Sequence, residues 1–181
     1  AELSMDGLHW KSGFELVDLY RRAVDSYRTA QAVESVAAHS WGMALLALAR
    51  CPATLDRLAV LELCLVHDLP EALVGDITPH DGISKADKHR REAGAAAALF
   101  ADAPALLARW EEYAEQRTAE SRWVRQLDKL DMALQAEVYA ATGADTAEFL
   151  GSARPGIQDP ALLALFPGDP PPADDGRARI P

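Results

Sequence analysis

His67 and Asp68 stand side by side at the end of the most apolar stretch of the chain, Leu55 to His67. An imidazole beside a carboxylate at a dry helix end is costly unless a charge or a hydrogen-bonding group meets them. A plain structural reading exists: Asp68 caps a new turn, with Pro70 in that turn and Glu71 closing a capping box, and His67 is a satisfied core histidine. His39 falls on the stripe Val36, His39, Met43, Leu46 and so faces the core, where a single histidine is ordinarily structural. Asp128 lies in the run Arg125 to Asp131, one step from the apolar row Trp123, Leu127, Leu130, Leu134. Aspartate is a poor mid-helix residue because its side chain competes for backbone hydrogen bonds. Alone, it reads as a solvated charge paired with Lys129 or Arg125. Taken together, two imidazoles and two carboxylates make a mixed nitrogen and oxygen set suited to a divalent ion such as Mn, Co, Ni, Fe or Zn. Four such ligands leave open positions on an octahedral ion for water and a substrate oxygen. Spacing alone does not join His39 to Asp128, 89 positions away.

The elements that must position these residues are helices. Apolar residues recur at helical spacing over Gly13 to Arg28 and over about Glu34 to Arg50, and nothing reads as a strand of useful length. Pro52 ends the second of these, and Thr54 is placed to cap a helix from Leu55 to about His67. That helix is apolar almost all round and is expected at the centre of the fold. Gly75 to Ser84 reads as a loop, Ser84 as the start of a helix that turns alanine-rich at Ala93 to Ala98. Further helices are expected at about Ala105 to Arg117 and Glu120 to Ala141. The fold class is therefore all-α. Residues 1–150 are expected to form one domain and residues 151–181, rich in proline, a largely irregular tail with a possible turn at Ala161 to Phe166.

The chain of 181 residues is long enough for one domain with a real core, and 49% hydrophobic with 25% charged residues is ordinary for a globular protein. No apolar run approaches the roughly 20 residues that span a bilayer, and no signal-peptide pattern opens the chain, so no membrane partner is expected. Cys51 and Cys64 make no disulfide framework and suit a reducing cytoplasm. A net charge of −10 argues against nucleic acid as a partner, while a small anionic substrate remains open if a metal or a few arginines reverse the sign locally.

Four blocks in order carry a resemblance. Glu34-Ser35-Val36-Ala37-Ala38-His39-Ser40-Trp41 is similar to the first motif of the HD superfamily, and Leu65 to Pro79, with His67-Asp68, to its signature segment. Lys85 to Glu92 and Gln126 to Ala136 resemble the 5′-deoxynucleotidase group of that superfamily, and the likeness spans roughly Phe14 to Ala141. It implies a bundle of six or more helices around a single metal site, with His39, His67, Asp68 and Asp128 as ligands. Asp128 takes the ligand role from its place in the Gln-x-Asp step, and Asp131 a supporting one. The resemblance also implies hydrolysis of 5′-deoxynucleoside monophosphates with one divalent cofactor (Mn, Co, Ni, Fe, Zn or Mg), and a homodimer. Glu71 and Asp76 resemble the two carboxylates that family members need for activity; Glu71 would orient water or act as general acid/base, and the two roles are interchangeable at this level.

The departures fall near the substrate. Ala38 replaces the acidic residue that commonly precedes the first motif histidine, and Val24–Asp25 occupies the place of an Arg-Trp pair in bacterial members. Tyr27–Arg28 resembles a Tyr-Arg step in eukaryotic-type members, which makes Arg28 the candidate for phosphate contact. Lys85, Lys88, His89, Arg90 and Arg91 read first as a solvated basic face; the alternative, from the resemblance of this block, is that one of these side chains reaches the substrate phosphate or the active-site carboxylates. Three rivals follow: the same fold acting on nucleoside di- or triphosphates or a specialised phosphorylated metabolite; a di-iron oxygenase using His80 or His89; and a non-catalytic module that keeps a metal for stability.

Overall fold

The structure is a computed structural model that describes residues 34–75, 77 and 81–168. The expected helix over Gly13 to Arg28, with Arg28 itself, and Asp76 and His80 lie outside the described residues. Among the described residues every regular element is helical: α1 (Val36–Arg50), α2 (Arg57–Val66), α3 (Glu71–Val74), α4 (Lys85–Leu99), α5 (Pro104–Glu115), α6 (Ala119–Ala141), α7 (Ala147–Ala153), a 3₁₀ turn at Arg154–Gly156, and α8 (Pro160–Leu163).

The helix starts follow capping chemistry. Ser35 accepts from the Ala38 N–H at the head of α1, and Ser84 accepts from the Asp87 N–H at the head of α4. Thr118 and Ser121 cap α6 reciprocally. At α2 the cap is Asp56, whose carboxylate accepts from the Leu58 and Ala59 N–H groups, in place of the expected Thr54. A carboxylate at the positive end of the helix gains charge as well as hydrogen bonds, which a hydroxyl two positions earlier does not. Gly75, at φ +77°, ends α3 in a backbone region that only glycine enters readily.

The main core joins Met43 and Leu46 of α1, Val60, Leu63 and Cys64 of α2, and Val124, Leu127, Leu130 and Leu134 of α6. The α2 helix packs on α1, α5 and α6, as a central helix must. It is not buried all round, however: Leu58 and Leu65 are half or more exposed. A second cluster, Val66, Ala96, Phe100 and Trp110, seats α4 and α5 beyond the end of α2.

Residues 151–168 depart from the expected irregular tail. Ala153, Ile157, Leu162, Leu165 and Phe166 are buried in the main core. The prolines shorten the elements here instead of preventing them: Pro160 occupies the first turn of α8, where its missing N–H costs nothing.

Candidate metal centre

Helix α1 carries His39 on its first turn, and α2 delivers His67 as its C-terminal cap with Asp68 next in sequence. The long helix α6 brings Asp128 and, nearly one turn on, Asp131. The four predicted ligands meet. His39 Nε2 lies 3.3 Å from His67 Nε2. Asp68 Oδ2 is 3.1 Å from the His67 nitrogen and 3.6 Å from that of His39. Asp128 Oδ1 is 3.6 Å from His39 Nε2.

What the other ring nitrogens do decides the chemistry. His67 Nδ1 donates to the Cys64 carbonyl at 3.0 Å, and His39 Nδ1 donates to Asp131 Oδ2 at 2.8 Å. Each bond fixes the tautomer and turns the Nε2 lone pair toward the other histidine, an arrangement typical of metal-ligating imidazoles. Two facing lone pairs beside two carboxylates demand a positive charge between them. Donor atoms 3.1–3.6 Å apart also suit one ion, because metal–ligand bonds of about 2.0–2.2 Å place neighbouring ligand atoms roughly 3 Å or a little more apart. The residues therefore fit a divalent cation.

Without an ion the electrostatics settle on a proton. Burial works against charge on the His39 ring, but the hydrogen bond and charge of Asp131, with the charges of Asp128 and Asp68, outweigh it and lift its pKa to about 10. Burial would raise the Asp68 carboxyl, yet the adjoining His67 and His39 rings and Lys88 hold it down at about 2. Asp68 spends its carboxylate on the histidines and caps nothing: α3 has no side-chain cap, only the Glu71 N–H bonded to the Asp68 carbonyl at 2.9 Å. The plain capping reading fails there.

A second layer grips the donors. Asp131 is fully buried under His39. The Tyr113 hydroxyl donates to Asp128 Oδ2 at 3.1 Å, and its ring meets the His67 ring edge-on with centroids 4.9 Å apart. Burial and the negative charge of Asp128 push the Tyr113 pKa well up, so it stays a donor. Arg125 donates to the Tyr113 oxygen at 3.1 Å and lies 3.6 Å from Asp128 Oδ2. Glu34 also comes within 4.8 Å of the donor atoms of His39 and Asp131, but His39 Nδ1 is already committed to Asp131, so that nitrogen is not offered to a second cation.

His39, Asp68 and Asp128 floor a cavity of about 480 Å³. Glu71 is in its wall, 3.7 Å from Lys88 Nζ, which also donates to the Ile77 carbonyl at 2.9 Å and lies 3.3 Å from Glu92. Lys88, Arg125 and Lys129 are the cations that line it among the described residues. Of the basic cluster, Lys88 is thus the member that reaches the site. His89 stacks on Trp110 with centroids 6.1 Å apart, beside the second core cluster, and leaves the oxygenase reading without that ligand. Sequence reasoning passed over Tyr113 and Arg125 as participants. Tyr113 sits on α5, outside the blocks that carry the motifs, and nothing along the chain points from it to Asp128.

A profile of the HD domain family matches residues 20–160, more than three quarters of the chain. The chain belongs to the HD domain family. Within it, the 5′-deoxynucleotidases HDDC2 of Bos taurus and of Homo sapiens are each 42% identical over 118 residues, which is 62% of this chain. The aligned part spans only 58% of either relative's length. Among solved structures, a conserved hypothetical protein from Pyrococcus furiosus superposes with a TM-score of 0.58 at 27% identity, over 83% of this chain and 92% of that one. The HD domain match accounts for the helical bundle, and its span takes in His39, His67, Asp68 and Asp128. No helix among the described residues is long and apolar enough to cross a membrane.

Proposed function

We propose that this HD domain is a metal-dependent phosphomonoester hydrolase that releases phosphate from 5′-deoxynucleoside monophosphates. The observation that carries the reading is the convergence of His39, His67, Asp68 and Asp128, three of which (His39, Asp68 and Asp128) line a cavity whose wall holds Glu71 and three cationic side chains. The names of the HDDC2 relatives supply the substrate class. His39, His67, Asp68 and Asp128 would hold one divalent ion; the mixed donor set admits Mn, Co, Ni, Fe, Zn or Mg. The chemistry such an ion supplies when bound is Lewis acidity, which polarises a phosphoryl oxygen and makes water a better nucleophile near neutral pH.

The remaining work falls to side chains. Glu71, anchored by Lys88, orients the attacking water and takes its proton, a role worth about 10²- to 10⁴-fold. Asp76 shares the proton transfers, toward the ester oxygen. Arg28 contacts the phosphate, and Arg125 and Lys129, already on the cavity wall, add positive potential for an anionic substrate in a chain whose net charge is −10. The setting is nucleotide metabolism in the cytoplasm, without nucleic-acid or membrane partners. A homodimer is supported by two apolar stripes left exposed, Trp41 with Leu48 on α1 and Leu58 with Leu65 on α2, each pair seven residues apart. Light scattering on the purified protein tests the dimer.

Phosphate release from ribo- and deoxynucleoside mono-, di- and triphosphates tests the activity, on metal-stripped protein resupplied with single ions. Release from deoxynucleoside monophosphates that disappears in Asp68→Ala and Glu71→Ala is the expected result. Release confined to triphosphates or to another phosphoester replaces the substrate, and no release from fully metallated protein removes hydrolysis altogether.

A further inference from the structure

Gln135 lies on α6 four residues beyond Asp131 and seven beyond Asp128, and it lines the same cavity. It is 4% exposed, and neither its Nε2 nor its Oε1 has a hydrogen-bond partner among the described residues. Among the described residues it is the one side chain with two polar atoms in that condition; the Ser40 hydroxyl is the other whole polar head left unmet, and it lies outside the cavity lining. Its buried polar neighbours along α6 are all occupied: Ser121 in the cap, Asp131 on His39, and Thr146 of the following turn on the Ala136 carbonyl at 3.0 Å. Folded proteins seldom leave a buried carboxamide unmet, because removing it from water without replacement bonds is costly. A group kept in that state beside a cavity is kept for what enters the cavity.

Position and chemistry name the visitor. Seven residues of helix advance about 10 Å, so Gln135 stands away from the metal centre, toward the end walled by Met132, Ala136, Tyr139 and Phe149. The Tyr139 hydroxyl closes that end by accepting from the Glu34 N–H at 2.7 Å. A carboxamide offers a donor and an acceptor side by side. A lone sugar hydroxyl would engage one of them and leave the other orphaned. A nucleobase edge, which sets a donor next to an acceptor, engages both, and the apolar wall suits the faces of a planar ring.

We propose that Gln135 hydrogen-bonds the nucleobase of the substrate, with the phosphate at the His39–His67–Asp68–Asp128 end; this rests on the nucleoside monophosphate reading above. Turning the amide by half a rotation exchanges its donor and acceptor, so Gln135 serves every base and positions the substrate without selecting among bases.

The test compares the metal-loaded protein with Gln135→Leu, and with Gln135→Met as a second apolar variant of unbranched shape. Substrates are the four deoxynucleoside monophosphates and 2-deoxyribose 5-phosphate, which has no base. Expected is a rise in KM of roughly tenfold for all four nucleotides with kcat nearly unchanged, and no change for the baseless sugar phosphate. The variants should also melt about 2–4 °C higher when substrate-free, since an unmet buried amide is gone. Unchanged KM for the nucleotides, or an equal loss on the sugar phosphate, overturns the assignment. If the wild type hydrolyses nothing, the monophosphatase reading has failed on its own. Deoxyadenosine then decides Gln135 by thermal shift: stabilisation of the wild type alone supports the contact, and equal or absent shifts overturn it.

Discussion

At the scale of single residues, the site is governed by groups one step removed from the proposed ligands. Asp131 sets the tautomer of His39 through its 2.8 Å bond, and Tyr113 holds one oxygen of Asp128 at 3.1 Å. Asp131→Asn is expected to weaken metal binding by about 10- to 100-fold, and Tyr113→Phe to weaken it less, by titration against a metal buffer. Wild-type affinity in Asp131→Asn would remove the support role. The proton on His39 makes a second prediction. A ring whose pKa climbs from 6.5 to about 10 on folding adds stability that is complete below pH 6.5 and lost as pH rises toward 10. Asp68, lowered from 3.8 to about 2, adds stability present above pH 3.8 and lost as pH falls toward 2. A bound cation takes the place of the His39 proton. Between pH 6.5 and 10 the melting temperature of chelated protein should therefore fall more steeply than that of loaded protein. Parallel curves would sink the idea. The four residues proposed as ligands could be picked out because each lies in a short contiguous motif, and the structure brings them together. Tyr113 and Gln135 were not, because their significance exists only once α5 and α6 are placed against the site.

At the scale of elements, α6 organises the molecule. One face, with Leu127, Leu130 and Leu134, enters the core, while Asp128, Met132, Gln135, Ala136 and Tyr139 line the cavity. Its Gln126, part of the motif that resembles the family, points elsewhere: its Oε1 accepts from the N–H groups of Gln158 and Asp159, both at 2.8 Å. Asp159 in turn accepts from the Trp123 indole at 2.9 Å and caps α8. Gln126→Ala should cost about 1–3 kcal/mol in denaturant unfolding and expose residues 157–168 to protease, with metal affinity unchanged. A variant as stable as the wild type would show that this clasp contributes little. Composition misled for this segment. Prolines at 155, 160 and 167 suggested disorder, yet Ile157, Leu162, Leu165 and Phe166 supply enough apolar surface to dock it. The choice between Thr54 and Asp56 as the α2 cap was likewise beyond reach, since both residue types cap well and the turn before the helix decides.

At the scale of the whole molecule, the metal centre ties together segments far apart in the chain: α1, the end of α2 and the middle of α6. A ligand that binds only where those three meet stabilises the fold by mass action. Removing the ion should lower the melting temperature, and restoring it should raise the midpoint in proportion to the logarithm of free metal. A midpoint indifferent to metal would mean that the donors do not bind it in the folded state. Leu63→Ala, at the fully buried junction of the same helices, should cost about 2–5 kcal/mol without altering metal stoichiometry, measured by unfolding and elemental analysis. The all-helical class was readable from periodicity alone. The partial exposure of α2 was not, because periodicity cannot tell a helix in the interior from one whose far side is left open.

The two duties of α6 also bear on how such a protein diversifies. Residues of its core face and of the ligand set are each locked by several partners, so drift there is removed before it can change anything useful. Met132 and Ala136, at the margin of the core, with Val36 and Phe149 from other elements, line the cavity without being ligands. Relatives that come to prefer other substrates would accumulate their changes at these four positions, and a library confined to them is the shortest route to a new specificity on this scaffold.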